Sequence, residues 1–120
     1  MNGIFERYPD FPFVVAHTGA GLLGLMNRLD RAASRHPVAK SKMKRTFSAY
    51  VKDLYYDSCS FQEPTLMHAH DFLGADRIMF GTDYPFIDAD SGHVETLDIA
   101  AGDKSAIYGD NAARVFGLDG

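Results

Sequence analysis

The feature that most constrains this chain is an apolar run that leads directly into a carboxylate, at residues 78–86 (Ile-Met-Phe-Gly-Thr-Asp-Tyr-Pro-Phe). The continuous apolar character predicts a strand over 77–81 that is covered on both faces, and its final glycine permits close approach to a neighbour. Pro85 cannot continue a strand, so Asp83 should lie at or just beyond the strand's C-terminal end. In parallel α/β folds that end carries the chemistry. The alternative is that the Asp83 side chain only caps the following turn.

Two earlier segments repeat this order of a short apolar strand followed by a polar residue. Residues 11–16 lead into His17 and a glycine-containing stretch, and residues 54–58 contain Asp57. Because helical patterns separate the three segments, the sequence predicts an α/β fold with a parallel sheet whose strand ends share one edge. An imidazole and two carboxylates, including Asp83, suit a divalent metal or acid–base chemistry at that edge. Spacing alone leaves open whether each side chain only satisfies nearby backbone groups.

Apolar residues at helical spacing predict the elements between and after the strands. Pro64 in a first turn and Gly74 after a last turn mark the clearest of these helices. Asp103 and Asp110 are typical of helix N-caps and predict two short helices near the C-terminus. The helix that starts at Pro64 covers residues 64–73, and the other predicted helices cover residues 3–8, 22–35, 42–51 and 94–100.

Composition excludes several classes of protein. The 120 residues, 46% of them apolar, suffice for one globular domain with a buried core. A formal net charge of −4 argues against non-specific nucleic-acid binding. Cys59 is the only cysteine, which excludes an intrachain disulfide, and we interpret it as a packing residue. No apolar run reaches the length of a membrane span and no charged-then-apolar leader is present, so we expect a cytoplasmic protein without a membrane partner.

Several motifs carry a resemblance to a known family. They are His-Thr-Gly-Ala-Gly at 17–21, Asn-Arg-Leu-Asp-Arg at 27–31, Leu-Tyr-Tyr-Asp at 54–57, the block 73–86 around Gly-Thr-Asp-Tyr-Pro, and Gly-Asp-Asn-Ala-Ala-Arg-Val-Phe-Gly-Leu at 109–118. In this order they resemble the C-terminal half of the amidohydrolase-related family, which includes metal-dependent enzymes of the aminocarboxymuconate-semialdehyde decarboxylase and γ-resorcylate decarboxylase type. The resemblance covers nearly the whole chain.

This resemblance implies that residues 1–120 form a single partial domain, about strands six to eight of a (β/α)₈ TIM barrel. It implies that Asp83 is a metal ligand at the end of the last strand, and that His17 is a catalytic acid–base residue beside the metal. It also implies that Arg28 binds a substrate carboxylate, as an arginine does in the partner subunit's site of some dimeric members. A helix-end arginine has a simpler role as a surface charge.

The chain departs from the family at the metal ligands. The family's first strand carries a His-x-His or Glu-x-His motif and its fifth strand carries a further histidine, and neither strand is expected here. The only His-x-His, His68 and His70, falls inside the predicted helix 64–73, where residues two apart point in different directions, so it does not predict a metal site. His36 and His93 have nothing convergent around them in the sequence and are predicted to be exposed.

In the complete protein the resemblance implies metal-dependent decarboxylation of an unsaturated or aromatic carboxylic acid, with zinc as the first metal and manganese as the second. Metal-dependent hydrolysis within the amidohydrolase superfamily is the runner-up. A third hypothesis is a non-catalytic half-barrel that self-associates, since open sheet edges and uncovered apolar surface favour pairing. The expected partners are a small carboxylic acid substrate and further copies of the chain in a homo-oligomer, with no nucleic acid.

Overall fold

The three predicted strands form one parallel sheet. The structure, a computed structural model, describes residues 3–87 and 90–118. Strands β1 (Val14–Val15), β2 (Tyr55–Asp57) and β3 (Ile78–Met79) lie in the order β1-β2-β3, and both neighbouring pairs are parallel. This arrangement confirms the predicted α/β class.

Each strand is shorter than predicted. Before β1, the carbonyl of Phe13 still accepts a hydrogen bond from the Tyr55 N–H at 3.0 Å, but the exposed residues ahead of it do not join the sheet. Before β3, a 3₁₀ turn (Ala75–Arg77) occupies the predicted first position of the strand. After β3, the Phe80 N–H donates to the Ile107 carbonyl at 2.7 Å, so the C-terminal helical segment meets the sheet where the strand ends.

Nine α-helical segments flank the sheet within the described residues. They are α1 (Ile4–Arg7), α2 (Ala20–Gly24), α3 (Met26–Arg35), α4 (Pro37–Lys42), α5 (Phe47–Asp53), α6 (Glu63–Leu73), α7 (Gly92–Glu95), α8 (Ala101–Ser105) and α9 (Asn111–Phe116). The prediction for α6 is confirmed, with Pro64 in its first turn and Gly74 (φ 94°) directly after its end. None of the helices in these residues is long and apolar enough to cross a membrane.

Two of the predicted helices differ from those observed. The predicted helix 22–35 is interrupted at Leu25 (φ −109°, ψ 10°), which separates α2 from α3. The predicted helix 42–51 is wrong at its start, because α4 ends there and α5 begins five residues later. Thr46 sets this second start, since its Oγ1 accepts a hydrogen bond from the Ala49 N–H at 3.3 Å and caps α5.

The C-terminal region is also corrected. The predicted helix 94–100 is only the four-residue α7, and the two predicted N-caps are wrong. Asp103 lies inside α8, and Asp110 has helical angles (φ −60°, ψ −37°) because α8, a π-helix (Ala106–Asp110) and α9 follow one another without a break. The Asp110 carboxylate instead accepts a hydrogen bond from Ser105 Oγ at 2.8 Å. Gly117 ends the segment in the left-handed region (φ 64°), as predicted.

The core lies between the sheet and the helices. Its largest fully buried apolar side chains come from β2, α6, β3, α7 and the π-helix, and they are Tyr56, Leu66, Ile78, Val94 and Ile107. Tyr56 packs so closely on Gly19 that a Cβ there would lie 2.7 Å from the phenol ring. The Tyr56 hydroxyl donates to the Val51 carbonyl at 2.8 Å, so this buried polar group is satisfied.

Candidate active site

The loops after the three strands meet at one edge of the sheet, because parallel strands end on the same side. His17 begins a 3₁₀ turn (His17–Gly19) directly after β1, and Asp57 is the last residue of β2. Asp83 follows the last residue of β3, Met79, by four positions. The predicted common edge of these side chains is therefore present.

Left-handed backbone conformations are concentrated in these loops. The non-glycine residues with positive φ in the described chain are His17 (57°), Thr18 (55°), Phe61 (55°) and Asp83 (59°), and each follows a strand. A side chain disfavours this region, and such residues persist where surrounding contacts hold them, often at functional sites. The loops are thus shaped by tertiary contacts rather than by local preference.

Asp57 holds two of the loops together. Its Oδ1 accepts hydrogen bonds from the Thr18 N–H at 2.9 Å and from the Cys59 N–H at 3.0 Å. The Thr18 hydroxyl, which is fully buried, in turn accepts the Ser60 N–H at 3.1 Å. For Asp57, the structure therefore favours the interpretation that the carboxylate satisfies nearby backbone groups.

Asp83 is different, because its carboxylate accepts no hydrogen bond from any described residue. The turn that follows Asp83 is closed by the Asp83 backbone carbonyl, which accepts the N–H groups of Phe86 at 2.9 Å and Ile87 at 3.2 Å. The side-chain cap that we considered for Asp83 is thus absent, and the charge is available at the sheet edge.

His17 is also available. Its ring is exposed at the start of the 3₁₀ turn and makes no hydrogen bond to the described residues. Contacts with β2 hold the turn in place, since Gly19 lies against the Tyr56 ring and the Thr18 N–H donates to the Asp57 carboxylate. An exposed imidazole on a rigid turn is able to accept or donate a proton.

Two aromatic side chains stand beside Asp83. Tyr84 is 82% exposed and Phe86 is 87% exposed, although large apolar side chains usually pack inside a protein. Both belong to the turn that the Asp83 carbonyl closes. They provide apolar surface next to a free carboxylate.

Cys59 packs beneath this edge, as predicted. A Cβ built on Gly81 would lie 2.7 Å from the Cys59 Sγ, so glycine is required for these two segments of the chain to approach this closely. Burial raises the pKa of the Cys59 thiol to about 11, and the charge of Asp57 raises it further in the same direction. The thiol therefore stays protonated and is a poor nucleophile near neutral pH.

His93 was predicted to be exposed without convergent neighbours, and this is wrong. Its Nε2 lies 2.9 Å from Ser58 Oγ, and its Nδ1 lies 3.0 Å from the Asp90 carbonyl. The ring stacks on Phe80 with centroids 5.5 Å apart and meets the edge of Phe61 at 4.9 Å. The sequence carried no signal for this cluster, because Ser58 and His93 are 35 positions apart. His36, by contrast, is exposed as predicted.

Arg28 is an exposed residue of α3. Together with Arg31 and Arg35 it lines a groove of about 490 Å³. No hydrogen bond or ion pair within the described residues joins Arg28 to His17 or Asp83. Its predicted role in substrate binding stays a prediction.

The His-x-His pair diverges, as its helical position predicts. His70 turns inward, and its Nε2 lies 2.9 Å from Asp103 Oδ2 on α8. His68 is exposed and stacks on Phe72, with ring centroids 6.2 Å apart. The two imidazoles do not face a common point.

The donor set fits part of a divalent metal site. Asp83 offers a free carboxylate, which is a ligand type that Mn²⁺ and Zn²⁺ both accept. Among residues 3–87 and 90–118, no group of three His, Cys, Asp or Glu side chains is arranged to hold a metal. The described chain therefore offers a part of a ligand set.

Comparison with known proteins places these observations in a family. The family model described as "Amidohydrolase" matches residues 1–118. The γ-resorcylate decarboxylases of a Rhizobium species and a Polaromonas species are each 35% identical to the chain, over 129 and 123 residues. These matches cover 99% and 98% of the chain but only 38% of each relative, so the chain spans less than half the length of these relatives.

Solved structures agree with the sequence matches. The 2,6-dihydroxybenzoate decarboxylase from Rhizobium superimposes with a TM-score of 0.83 and 34% identity over 98% of this chain and 38% of that one. The dihydroxybenzoic acid decarboxylase from Polaromonas, with bound manganese and the inhibitor 2-nitroresorcinol, superimposes with a TM-score of 0.86 and 33% identity. This match covers 99% of this chain and 37% of that one. Both are amidohydrolase-like TIM-barrel enzymes, although the assignment to strands six to eight stays a prediction. From its motifs, its fold and these matches, the chain belongs to the amidohydrolase family.

Proposed function

We propose that this chain is part of a metal-dependent decarboxylase that acts on an aromatic carboxylic acid. Residues 1–120 would form one partial barrel domain, and the activity would belong to the complete protein. The observation that carries the proposal is the 35% identity to dihydroxybenzoate-type decarboxylases over nearly the whole chain, which includes the strand-end residues. The free Asp83 carboxylate and the exposed His17 ring at one sheet edge fit that chemistry.

Asp83 is the residue that would hold the metal. Its carboxylate has no competing hydrogen-bond donor in the described chain, so binding a cation would break no existing contact. A divalent ion supplies electrostatic stabilisation of negative charge on the substrate oxygens. The Polaromonas relative contains manganese. We therefore propose manganese rather than zinc, which no comparison supports.

His17 is the residue that would move a proton. Decarboxylation breaks the bond between the ring carbon and the carboxylate, releases CO₂, and leaves a carbon that must gain one proton. The His17 imidazole is exposed and held on a rigid turn by the buried Thr18. A ring nitrogen of His17 would deliver this proton, because imidazole gains and loses protons near neutral pH.

The aromatic ring of the substrate would pack against Tyr84 and Phe86. Both side chains are almost fully exposed beside Asp83, and offset contact between aromatic rings contributes about 0.5–1.5 kcal/mol beyond the buried area. Arg28 would bind a substrate carboxylate in the site of a second subunit, since its guanidinium has no ion-pair partner in the described residues. This role requires a homo-oligomer.

Two substitutions in the complete protein test the metal and proton roles. Asp83→Ala should remove metal and activity together, whereas His17→Ala should keep the metal and lose turnover. Asp98→Ala and His36→Ala are matched controls, because both residues are exposed and far from the strand ends in sequence. Retained metal and near-normal turnover in Asp83→Ala would refute the metal role, and metal loss in His17→Ala would make His17 a ligand instead.

The reaction itself is tested with 2,6-dihydroxybenzoate, the compound bound in a Rhizobium relative. Release of CO₂ with formation of resorcinol, dependent on added Mn²⁺, is the expected result. A protein that binds Mn²⁺ but releases no CO₂ from any dihydroxybenzoate, while it cleaves amide or ester substrates, would instead be a hydrolase of the same superfamily.

A second candidate function, self-association of the 120-residue chain, is favoured by the open side of β1. Among residues 3–87 and 90–118 this strand pairs only with β2, and apolar side chains beside it are exposed, including Phe11 at 63% and Phe13. Unpaired strand edges and apolar surface favour association with a second copy. Light scattering, combined with elemental analysis of the same fractions, should give a dimer. Val14→Lys should abolish it, whereas Val38→Lys on α4, with similar exposure, should not.

A further inference from the structure

We propose that Ser58 and His93 form a hydrogen-bonded clasp that positions the loop carrying Asp83. This Asp83 loop comprises residues 82–92, which the structure describes apart from 88 and 89. Ser58 and His93 would be positioning residues, since neither has been placed in contact with substrate or metal. The effect on metal binding rests on the proposed function of Asp83, whereas the clasp itself can be measured independently.

The hydrogen bonds of His93 define its tautomer. The Asp90 carbonyl can only accept, so the Nδ1 that lies 3.0 Å from it must carry a proton. In the neutral ring the opposite nitrogen, Nε2, is then an acceptor. Ser58 Oγ has one proton and two acceptors within reach, Nε2 at 2.9 Å and the Gly81 carbonyl at 3.3 Å, and it donates to the nearer of them, Nε2.

Ser58 connects this ring to the strand that leads into the loop. Its side chain is fully buried, and its Oγ accepts the Gly81 N–H at 3.1 Å while the Gly81 carbonyl lies 3.3 Å away. Gly81 is the residue before the Asp83 loop, and His93 is the residue after it. One buried hydroxyl thus ties both ends of the loop together.

Packing holds the His93 ring in this position. The ring stacks on Phe80 at an interplanar angle of 19° and meets Phe61 edge-on at 84°. The Asp90 carboxylate accepts the Gly92 N–H at 2.8 Å, which fixes the start of α7, the helix that contains His93. A ring with two hydrogen bonds and two aromatic neighbours has little freedom to rotate.

The clasp matters because Asp83 has a backbone conformation that its own side chain disfavours. Its φ of 59° lies in the left-handed region, and the surroundings must hold it there. Within the part of the chain that the structure describes, its carboxylate makes no hydrogen bond that could orient it. The Gly81 end of the loop, two residues from Asp83, is held by the buried Ser58 hydroxyl.

A matched pair of substitutions at His93 separates the clasp from general packing. In His93→Gln the side-chain carbonyl can take the place of Nε2 and accept from Ser58. In His93→Asn the shorter amide can still donate to the Asp90 carbonyl but cannot reach Ser58. We expect His93→Asn in the complete protein to weaken Mn²⁺ binding about 10-fold or more, as for residues that orient metal ligands. His93→Gln should stay within about threefold of the wild type.

Nuclear magnetic resonance provides a readout that does not depend on activity. In protein with ¹⁵N-labelled histidine, His93 should show a protonated Nδ1 and an unprotonated Nε2. The backbone shifts of Gly81 and Asp83 should change in His93→Asn and be restored in His93→Gln. Ser58→Ala should resemble His93→Asn, and if this buried substitution prevents folding, the His93 pair still decides the question.

The outcomes separate the clasp from the proposed function. A protonated Nε2 on His93, or unchanged shifts of Asp83 in His93→Asn, would overturn the clasp whatever the metal does. Shifts that change as expected, with Mn²⁺ affinity equal in the Asn and Gln variants, would overturn the positioning of a metal ligand. Unaltered Mn²⁺ binding in Asp83→Ala would refute the metal role of Asp83, and the nuclear magnetic resonance results would then stand alone as the test of the clasp.

Discussion

Replacing Gly81 by alanine should destabilise the protein, because the structure leaves no room for a side chain there. A Cβ on Gly81 would lie 2.7 Å from Cys59 Sγ and 3.4 Å from Asp57 Cβ. The first distance is about 1 Å shorter than a favourable contact between heavy atoms. Cys59 is buried and its side chain is short, so it cannot move aside easily. Overpacking of this kind costs about 1–3 kcal/mol of unfolding free energy.

Urea denaturation measures this loss, and Gly102→Ala is the matched control. Gly102 lies in α8 without a positive φ, and apart from its chain neighbours and the backbone of its own helix no atom lies within 4 Å of the added Cβ. There the same substitution should stabilise by about 0.4–1 kcal/mol, because alanine restricts the unfolded chain more than glycine does. A loss of unfolding free energy for Gly81→Ala and a gain for Gly102→Ala would show that steric space, rather than glycine flexibility, decides the result.

A double substitution identifies the atom that causes the clash. Cys59→Ala removes a buried sulfur and should cost about 1–2 kcal/mol by itself. In that background Gly81→Ala should cost less than about 1 kcal/mol, which gives a coupling energy of about 1–2 kcal/mol between the two sites. If Gly81→Ala lowers the unfolding free energy equally in both backgrounds, Cys59 is not the cause of the clash. A change in unfolding free energy within about 0.5 kcal/mol for Gly81→Ala in the wild type would also refute the explanation.

Three further predictions concern stability. Thr46→Ala should lower the unfolding free energy by about 1 kcal/mol in urea denaturation, because α5 loses its cap, whereas Thr46→Ser should not. Tyr56→Phe should cost about 1 kcal/mol through the lost bond to Val51, and an unchanged midpoint would contradict that. Because burial raises the pKa of Cys59 from 9.0 to about 11, the unfolded chain releases this proton first, so stability should fall as pH rises from 9 to 11. Cys59→Ala should show a smaller fall over this range, and an equal fall would be contrary to expectation.

Much of the fold could be predicted from the sequence because local chemistry decides it. Proline favours the first turn of a helix, so Pro64 marked the start of α6, and Gly74 with its positive φ marked the end. The three apolar runs determined which segments become strands. Their alternation with helices determined that His17 and Asp83 share an edge, because parallel strands must end on the same side.

Other features of the site depend on contacts between distant parts of the chain, and only the tertiary structure decided them. Nothing near His93 in the sequence indicates that it binds Ser58. Whether Asp57 and Asp83 are engaged or free depends on which backbone N–H groups the neighbouring loops bring to each carboxylate. The sequence determined which residues lie at the strand ends, and the packing of the loops determined which of them remain free for chemistry, because a carboxylate that already satisfies buried N–H groups has little capacity left for a ligand.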